Sequence, residues 1–307
     1  MAGRKQGRDV HGWLVLDKPS GVTSAAAVAI VRRAFDARKV GHAGTLDPLA
    51  TGVLPIALGE ATKTVSHAVE GAKHYHFTVR WGRETDTDDA LGATTSQSDA
   101  RPSREAIAAV LPRFTGHIAQ VPPAFSAVKV AGARAYRLAR EGEPGALAAR
   151  AVHVARLQLI AMPDGEHTEF EAHCGKGTYV RAMARDMGRT LGCLGHLVAL
   201  RRTHVAPFDV AQAVTVGALE AAACTGEEAL ARLLLPVEAS LSQLLHLSVD
   251  RGDAARLLRG QGVAMRGRDA PIVSGPAYAT YKGNVIALLR LEKGELRPVR
   301  VFRFAST

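Results

Sequence analysis

The run His42-Ala43-Gly44-Thr45-Leu46-Asp47-Pro48-Leu49-Ala50-Thr51-Gly52-Val53-Leu54 places one carboxylate on a tight turn just ahead of an apolar stretch. A residue before proline is driven toward extended backbone, because the ring clashes with a helical predecessor. Glycines at 44 and 52 allow another backbone or a ligand to approach closely. Such a turn can present Asp47 to a substrate. With an ordinary pKa of about 3.9 an aspartate is ionised at neutral pH without help. It can then act as a nucleophile and split a difficult exchange into two easier steps. Asp-Pro also occurs in ordinary turns, so the turn alone leaves both readings open.

Other groups could complete such a site. Arg181 ends the run Gly175-Lys176-Gly177-Thr178-Tyr179-Val180-Arg181. A guanidinium holds a carboxylate through two parallel bonds that lysine cannot reproduce, although periodicity alone would leave Arg181 on a solvated helix face. Tyr75 lies on the apolar side of an alternating stretch, where a tyrosine either stacks a flat base or fills a core. Gly175-Lys176-Gly177 ahead of a helix could set amide N–H groups and a cation near phosphate, and a strand-to-helix turn without a ligand reads the same. There is no Walker loop and no G-x-G-x-x-G after a strand, so neither nucleotide-driven nor dinucleotide chemistry is indicated. Cys193 and His196 have ligand-like spacing, with His173 and Cys174 nearby in sequence. A structural zinc site takes four closed ligands and no paired C-x-x-C is present, so neither a metal nor a cofactor is expected.

The chain has 307 residues, 47% of them hydrophobic, and a formal net charge of +10. That length allows one large domain and a small one. The positive balance fits a polyanionic partner without naming it. Three scattered cysteines, Cys174, Cys193 and Cys224, make no disulfide framework and suit a reducing compartment. Residues 1–9 are polar and basic with no apolar segment, and no run reaches the roughly 18 apolar residues of a membrane span, so a soluble cytoplasmic protein is expected.

Taken with its neighbours, the Asp47 run resembles the catalytic motif of the TruB family of tRNA pseudouridine synthases. Gly12-Trp13-Leu14-Val15-Leu16-Asp17-Lys18-Pro19-Ser20-Gly21-Val22-Thr23-Ser24 is similar to the family's opening strand and turn. Gly59-Glu60-Ala61-Thr62-Lys63, Lys73-His74-Tyr75 and Thr85-Asp86-Thr87-Asp88-Asp89 follow at the family's spacing. Pro122-Pro123-Ala124-Phe125-Ser126-Ala127-Val128-Lys129, the Gly175 to Arg181 run and Leu200-Arg201-Arg202 complete the set. The resemblance covers about residues 11 to 240. It implies isomerisation of the T-arm uridine at tRNA position 55, with Asp47 as nucleophile, Arg181 facing it and Asp89 in the same charge network. Tyr75 and Tyr179 match two tyrosines that contact the target base, with Tyr75 as catalytic ring and general base and Tyr179 as a wall. His42 matches a histidine that enters the T loop, and Leu200 a position whose backbone meets the base. Lys18, Lys63, Lys129, Arg134, Lys176, Arg201 and Arg202 are candidates for RNA-backbone contacts. The stretch from Leu49 through Lys63 is of the bacterial type, which implies no guide RNA; nothing in the chain asks for an obligate oligomer, so a monomer is expected. A rival role is that of a tRNA-folding helper that does not depend on catalysis. A third, an RNA-binding module with a degenerate catalytic domain, is disfavoured because every matched position is filled.

The elements that must position these residues follow from periodicity. Trp13 to Leu16 reads as a strand, and Thr23 or Ser24 as the cap of a helix bearing Val28, Val31 and Phe35. Val53 to Leu58 is a short buried strand. Tyr75, Phe77, Val79 and Trp81 alternate with His76, Thr78 and Arg80 in another. Arg104 to Phe114 reads as a helix. Arg156 to Ile160 and Glu169 to Cys174 form a hairpin over Pro163-Asp164-Gly165. Val180, Met183, Met187 and Leu191 mark one face of a helix beginning near Thr178. The resemblance implies an RNA-gripping insertion at about 124–152, with a helix at Ala135 to Arg140; there Gly142-Glu143-Pro144-Gly145 departs from the family's proline-containing segment. After about Leu245, a helix at Asp253 to Arg259 capped by Gly260 and brief strands resemble a small PUA-type RNA-binding domain. The expected fold is α+β: a mixed, mainly antiparallel sheet flanked by helices over residues 11–244, with a β-rich PUA-like unit over 245–307 and a basic tail over 1–10.

Overall fold

Two strands carry apolar residues on both faces, and the architecture is built around them. In the computed structural model, which describes residues 7–126, 128–130, 133–134, 147–265 and 274–304, β1 (Gly12–Lys18) pairs antiparallel with β3 (Thr51–Leu58). Leu14, Leu16, Leu54, Ile56 and Leu58 face one core, while Trp13, Val15, Val53 and Ala57 face a second. A strand covered on both faces reads as a continuous apolar run, which is why both segments stand out in sequence. Between them, helix α1 (Ser24–Ala34) covers the first core with Ala27 and Val31, and β2 (Val40–His42) pairs with β3. Thr23 caps α1, accepting from the Ala26 N–H at 3.1 Å.

The sheet continues through β4 (Lys73–Trp81), β7 (Gly116–Gln120), β10 (Arg150–Ala161), β11 (His167–Cys174) and β12 (Gly195–Val205). Its order is β14–β1–β3–β12–β4–β11–β10–β7, where β14 is Val214–Thr215, and β2 and β13 (Phe208–Asp209) attach at the side. The β1–β14 and β3–β12 pairs are parallel and the others antiparallel. Two short ladders lie outside it: β5 (Arg83–Thr85) with β6 (Thr94–Gln97), and β8 (Lys129–Val130) with β9 (Ala133–Arg134). The alternation along β4 is as expected, with Tyr75, Phe77, Val79 and Trp81 turned into the core beneath helix α4 (Val180–Thr190). Short helices α2 (Val65–Glu70) and α3 (Arg104–Val110) complete this half, α3 passing into a 3-10 turn through Phe114 where Pro112 removes an N–H donor.

The hairpin strands are longer than periodicity indicated. Arg150, Ala151 and Val152 pair with Gln120, Ala119 and Ile118, so this end of the 124–152 stretch belongs to β10. The long reach of the strand comes from its partner β7, which a local pattern does not contain. The helix expected at Ala135 to Arg140 and the Gly142 to Gly145 stretch lie outside the described residues.

Helices α5 (Val216–Thr225) and α6 (Glu227–Ala231) lead to a second sheet, ordered β15–β17–β18–β19–β16, beginning at Leu245. Its strands are β15 (Leu245–Ser248), β16 (Val263–Ala264), β17 (Gly275–Tyr281), β18 (Asn284–Glu292) and β19 (Glu295–Val301). Helix α7 (Arg251–Leu258) packs Ala254 and Leu257 against it. Val285, Leu288 and Phe302 of this unit cover Trp13, Val15 and Val53 in the shared second core. The terminal unit is therefore part of what buries β1 and β3, the latter being the strand that leaves the Asp47 turn. Among the described residues no helix is long and apolar enough to cross a membrane.

Candidate active site

Strands β3 and β12 run parallel and pair at two positions, Arg201–Thr51 and Arg202–Gly52. The Asp47 loop enters the sheet at this junction. Gly52 is required there: its φ is +97°, and a Cβ would lie 2.2 Å from the Arg202 carbonyl oxygen. Register shifts in β12 fall between Leu197 and Ala199 and between Arg202 and His204, so Leu200 sits between two bulges. Bulges re-aim side chains and interrupt pairing beside functional sites.

The loop is clamped from beneath. The Ser24 hydroxyl accepts from the Leu46 N–H at 2.8 Å and donates to the Leu46 carbonyl at 2.9 Å. Lys18, fully buried, donates to the carbonyls of Pro19 and Val22 at 2.9 and 2.7 Å and of Pro48 at 3.4 Å. Burial pushes its amine down to about 8, against the attraction of Asp47. Arg202, 1% exposed, donates to Val53 and Gly44 carbonyls at 2.8 and 2.9 Å and to Thr45 at 3.4 Å. Its charge also acts on the neighbouring Tyr75 phenol.

Above this base, Arg181 grips Asp47 with two bonds, Nε to Oδ2 at 2.8 Å and Nη2 to Oδ1 at 3.1 Å. It also donates to the Thr87 and Phe125 carbonyls at 2.8 and 2.9 Å, and its Nε lies 3.8 Å from Asp89 Oδ2. The Arg181 side chain is 5% exposed and that of Asp47 34%. A buried cation thus orients a carboxylate that still meets solvent. Tyr75 is buried, and burial pushes its phenol up; Tyr179, half-buried at the start of α4, shifts the same way for the same reason. Gln120 clamps the backbone of Tyr179, accepting from its N–H at 2.8 Å and donating to its carbonyl at 3.1 Å. His42 has a buried Nδ1 with no partner among the described residues, and burial followed by the charge of Arg202 pushes its imidazole down. Leu200 and Leu49 line a cavity of about 410 Å³, with Thr51, His76, Phe77 and Arg201; neither Asp47 nor Tyr75 lines it.

Residues 32–180 match the model of the TruB family pseudouridylate synthase N-terminal domain, and residues 181–242 that of the tRNA pseudouridylate synthase B C-terminal domain. The chain belongs to the TruB family of pseudouridine synthases. It is 57% identical over 306 residues to tRNA pseudouridine synthase B of Bradyrhizobium diazoefficiens, covering 99% of this chain and 89% of the relative. The Chelativorans enzyme of the same name is 53% identical over 306 residues, covering 98% of both chains. The fold is also that of a chain in the structure of an H/ACA RNP bound to a substrate RNA containing 2'-deoxyuridine, with TM-score 0.73 and 22% identity over 99% of this chain and 92% of that one.

Within this TruB fold, the structure brings together Asp47, Arg181 and Asp89, with Tyr75 and Tyr179 close enough to feel the Asp47 charge; His42 lies on β2 near Arg202, and Leu200 lies between the bulges of β12. It does not place all seven cations at the surface. Lys18 and Arg202 are internal struts, both buried and both donating to carbonyls of the Asp47 loop or its flanks. Lys63 bonds Glu60 at 2.5 Å and the Val301 carbonyl at 2.9 Å, tying the terminal unit to the catalytic one. Arg201 pairs with Asp17 through two bonds, 3.0 and 2.8 Å, and remains partly exposed. Lys176 is exposed and paired with Glu70 at 2.5 Å. Lys129 and Arg134 face each other across the β8–β9 ladder, and their side chains lie outside the described structure. Gln120 and the second arginine of α4, Arg185, were not singled out by sequence, and Ser24 only as a possible helix cap. The spacing of Arg181, Arg185 and Arg189, one turn apart, was the available signal for the last.

Proposed function

We propose that this enzyme isomerises the T-arm uridine at tRNA position 55, with Asp47 as nucleophile. The observation that carries the reading is the two-pronged grip of the buried Arg181 on a partly exposed Asp47. In the reaction the N1–C1' bond breaks, the base turns, the C5–C1' bond forms, and the proton on C5 is exchanged for one on N1. No redox change, phosphate energy or metal is required, so no cofactor is proposed. Arg181 aims Asp47, and the same grip can stabilise the carboxylate when it departs.

The target base must leave its stack. Base–aromatic stacking contributes on the order of 1–3 kcal/mol per base, comparable to the cost of extrusion from a loop. Tyr75 and Tyr179 are proposed to flank the base, with the Leu200 backbone at its edge. The upward shift of the Tyr75 phenol argues against a resting general base and favours the ring as its contribution. His42, disposed by burial to the neutral form, is proposed to fill space vacated among the T-loop bases. Arg201 and Lys176, with Lys129 and Arg134, remain proposed phosphate contacts; Lys18, Lys63 and Arg202 do not. The second sheet is proposed as a PUA-like RNA-binding unit, and the enzyme as a cytoplasmic monomer acting without guide RNA.

The test is to incubate the purified protein, without cofactor or metal, with an unmodified tRNA transcript and map pseudouridine at single-nucleotide resolution. Conversion confined to the T-arm uridine supports the reading, and conversion elsewhere overturns the substrate assignment. Asp47→Asn is expected to bind the transcript as wild type does and to make no pseudouridine. Turnover close to wild type would remove Asp47 from the nucleophile's role, and tight binding by wild type without conversion would favour an RNA-folding role.

A further inference from the structure

Helix α4 presents three arginines, one turn apart, toward the strap formed by residues 84–89. The outer rung is Arg189, 57% exposed, which meets Glu84 through bonds of 2.7 and 2.9 Å. The inner rung is Arg181 with Asp47. The middle rung is buried on both sides: Arg185 Nη1 donates to Asp88 Oδ2 at 2.9 Å, and both residues are 8% exposed. Arg185 also bonds Asp186 Oδ1 and the Val121 carbonyl, each at 2.8 Å.

Asp88 has a φ of +60°, a left-handed conformation uncommon outside glycine. That conformation sets the course of the strap. The Asp88 carbonyl accepts from the Leu197 N–H at 3.1 Å and its N–H donates to the Thr85 carbonyl at 3.1 Å. The neighbours on either side are then delivered to Arg181, the Thr87 carbonyl at 2.8 Å and the Asp89 carboxylate at 3.8 Å. Arg185 joins the same two segments that Arg181 joins, the strap through Asp88 and the 121–125 stretch through Val121. A left-handed turn and a buried charge meet at one residue that does not touch the reacting carboxylate but sits between the two strap residues that meet Arg181.

We infer that Asp88 and Arg185 are a positioning pair for the reaction: their buried contact fixes the strap whose Thr87 and Asp89 hold Arg181 against Asp47. This rests on the catalytic reading of Asp47. Burial pushes the Asp88 carboxyl up to about 6 even beside Arg185, so its ionised form lowers stability at neutral pH. A charge kept at the expense of stability is expected where geometry is the benefit.

The experiment is single-turnover conversion of an unmodified T-arm stem-loop by wild type, Asp88→Asn, Arg185→Lys and Arg189→Gln, with affinity for the same RNA and the thermal midpoint measured on each. Conversion by wild type tests the functional reading separately from this one. Asp88→Asn and Arg185→Lys are expected to slow conversion about tenfold to a hundredfold, the scale for a group misplaced by about an ångström. Affinity should be unchanged, the Asp88→Asn midpoint at or above that of wild type, and Arg189→Gln as fast as wild type. Wild-type rates in both middle-rung variants overturn the proposal, as does a rate loss matched by an equal loss of affinity. Should Asp88→Asn fail to fold, Arg185→Lys decides by the same criteria.

Discussion

Arg202→Lys separates an internal strut from an RNA contact, two roles that the residue's charge alone cannot tell apart. The native guanidinium reaches the carbonyls of Val53, Gly44 and Thr45, with 1% of the residue exposed. A lysine places one ammonium in the same space and cannot span carbonyls on opposite sides of the fork. If two charge-assisted bonds are lost at about 1.5–3 kcal/mol each, the cost is about 3–6 kcal/mol. For a chain of this size that lowers the thermal midpoint by roughly 10 °C. Turnover should fall too, since Gly44 and Thr45 lead directly into Asp47. The assay pairs thermal unfolding with RNA affinity measured across a salt series. As a strut, Arg202→Lys lowers the midpoint and leaves the slope of log affinity against log salt unchanged. A phosphate contact would behave in the opposite way, with an unchanged midpoint and, on loss of the charge in Arg202→Met, a slope reduced by about 0.7–0.9. That second pattern would refute the assignment.

Three further outcomes are expected. Gly52→Ala drives a Cβ to within 2.2 Å of the Arg202 carbonyl at a φ of +97°; it should cost about 3 kcal/mol or more, read as a lower midpoint in denaturant unfolding. Lys63→Met removes the bonds to Glu60 and the Val301 carbonyl; stability should fall by about 1–2 kcal/mol while the salt dependence of RNA binding stays that of wild type. Asp88 faces Arg185, Arg181, Arg189 and Asp186, and burial raises its carboxyl to about 6 from an ordinary 3.8. A raised carboxyl adds stability below about pH 4 that is lost as pH rises through 6, so wild type should lose about 2 kcal/mol relative to Asp88→Asn between pH 4 and 7. Equal pH dependence of unfolding in the two proteins would show that Asp88 titrates normally.

Much of this protein was legible in its residues because local chemistry leaves local marks. The doubly buried β1 and β3 are continuous apolar runs, β4 alternates, α4 repeats at helical spacing, and the Asp47-Pro48 turn carries its own backbone constraint. The pairing of Asp47 with Arg181, 134 residues apart, was available only through resemblance. What the sequence did not determine is which cations face outward. Lys18, Lys63 and Arg202 have the composition of RNA contacts, and nothing within a few residues of each says otherwise. For Lys63 and Arg202 the direction is set by distant carbonyls, Val301 for the one and Gly44 and Val53 for the other, while Lys18 turns to the Pro19 and Val22 carbonyls of its own turn and reaches Pro48 beside Asp47. Those acceptors come together when the strands and the terminal unit pack, and a buried carbonyl without a donor costs more than a surface charge gains in water. The chemistry-bearing residue types are therefore a property of the chain, whereas the division between those that hold the site and those left to meet RNA is decided by burial.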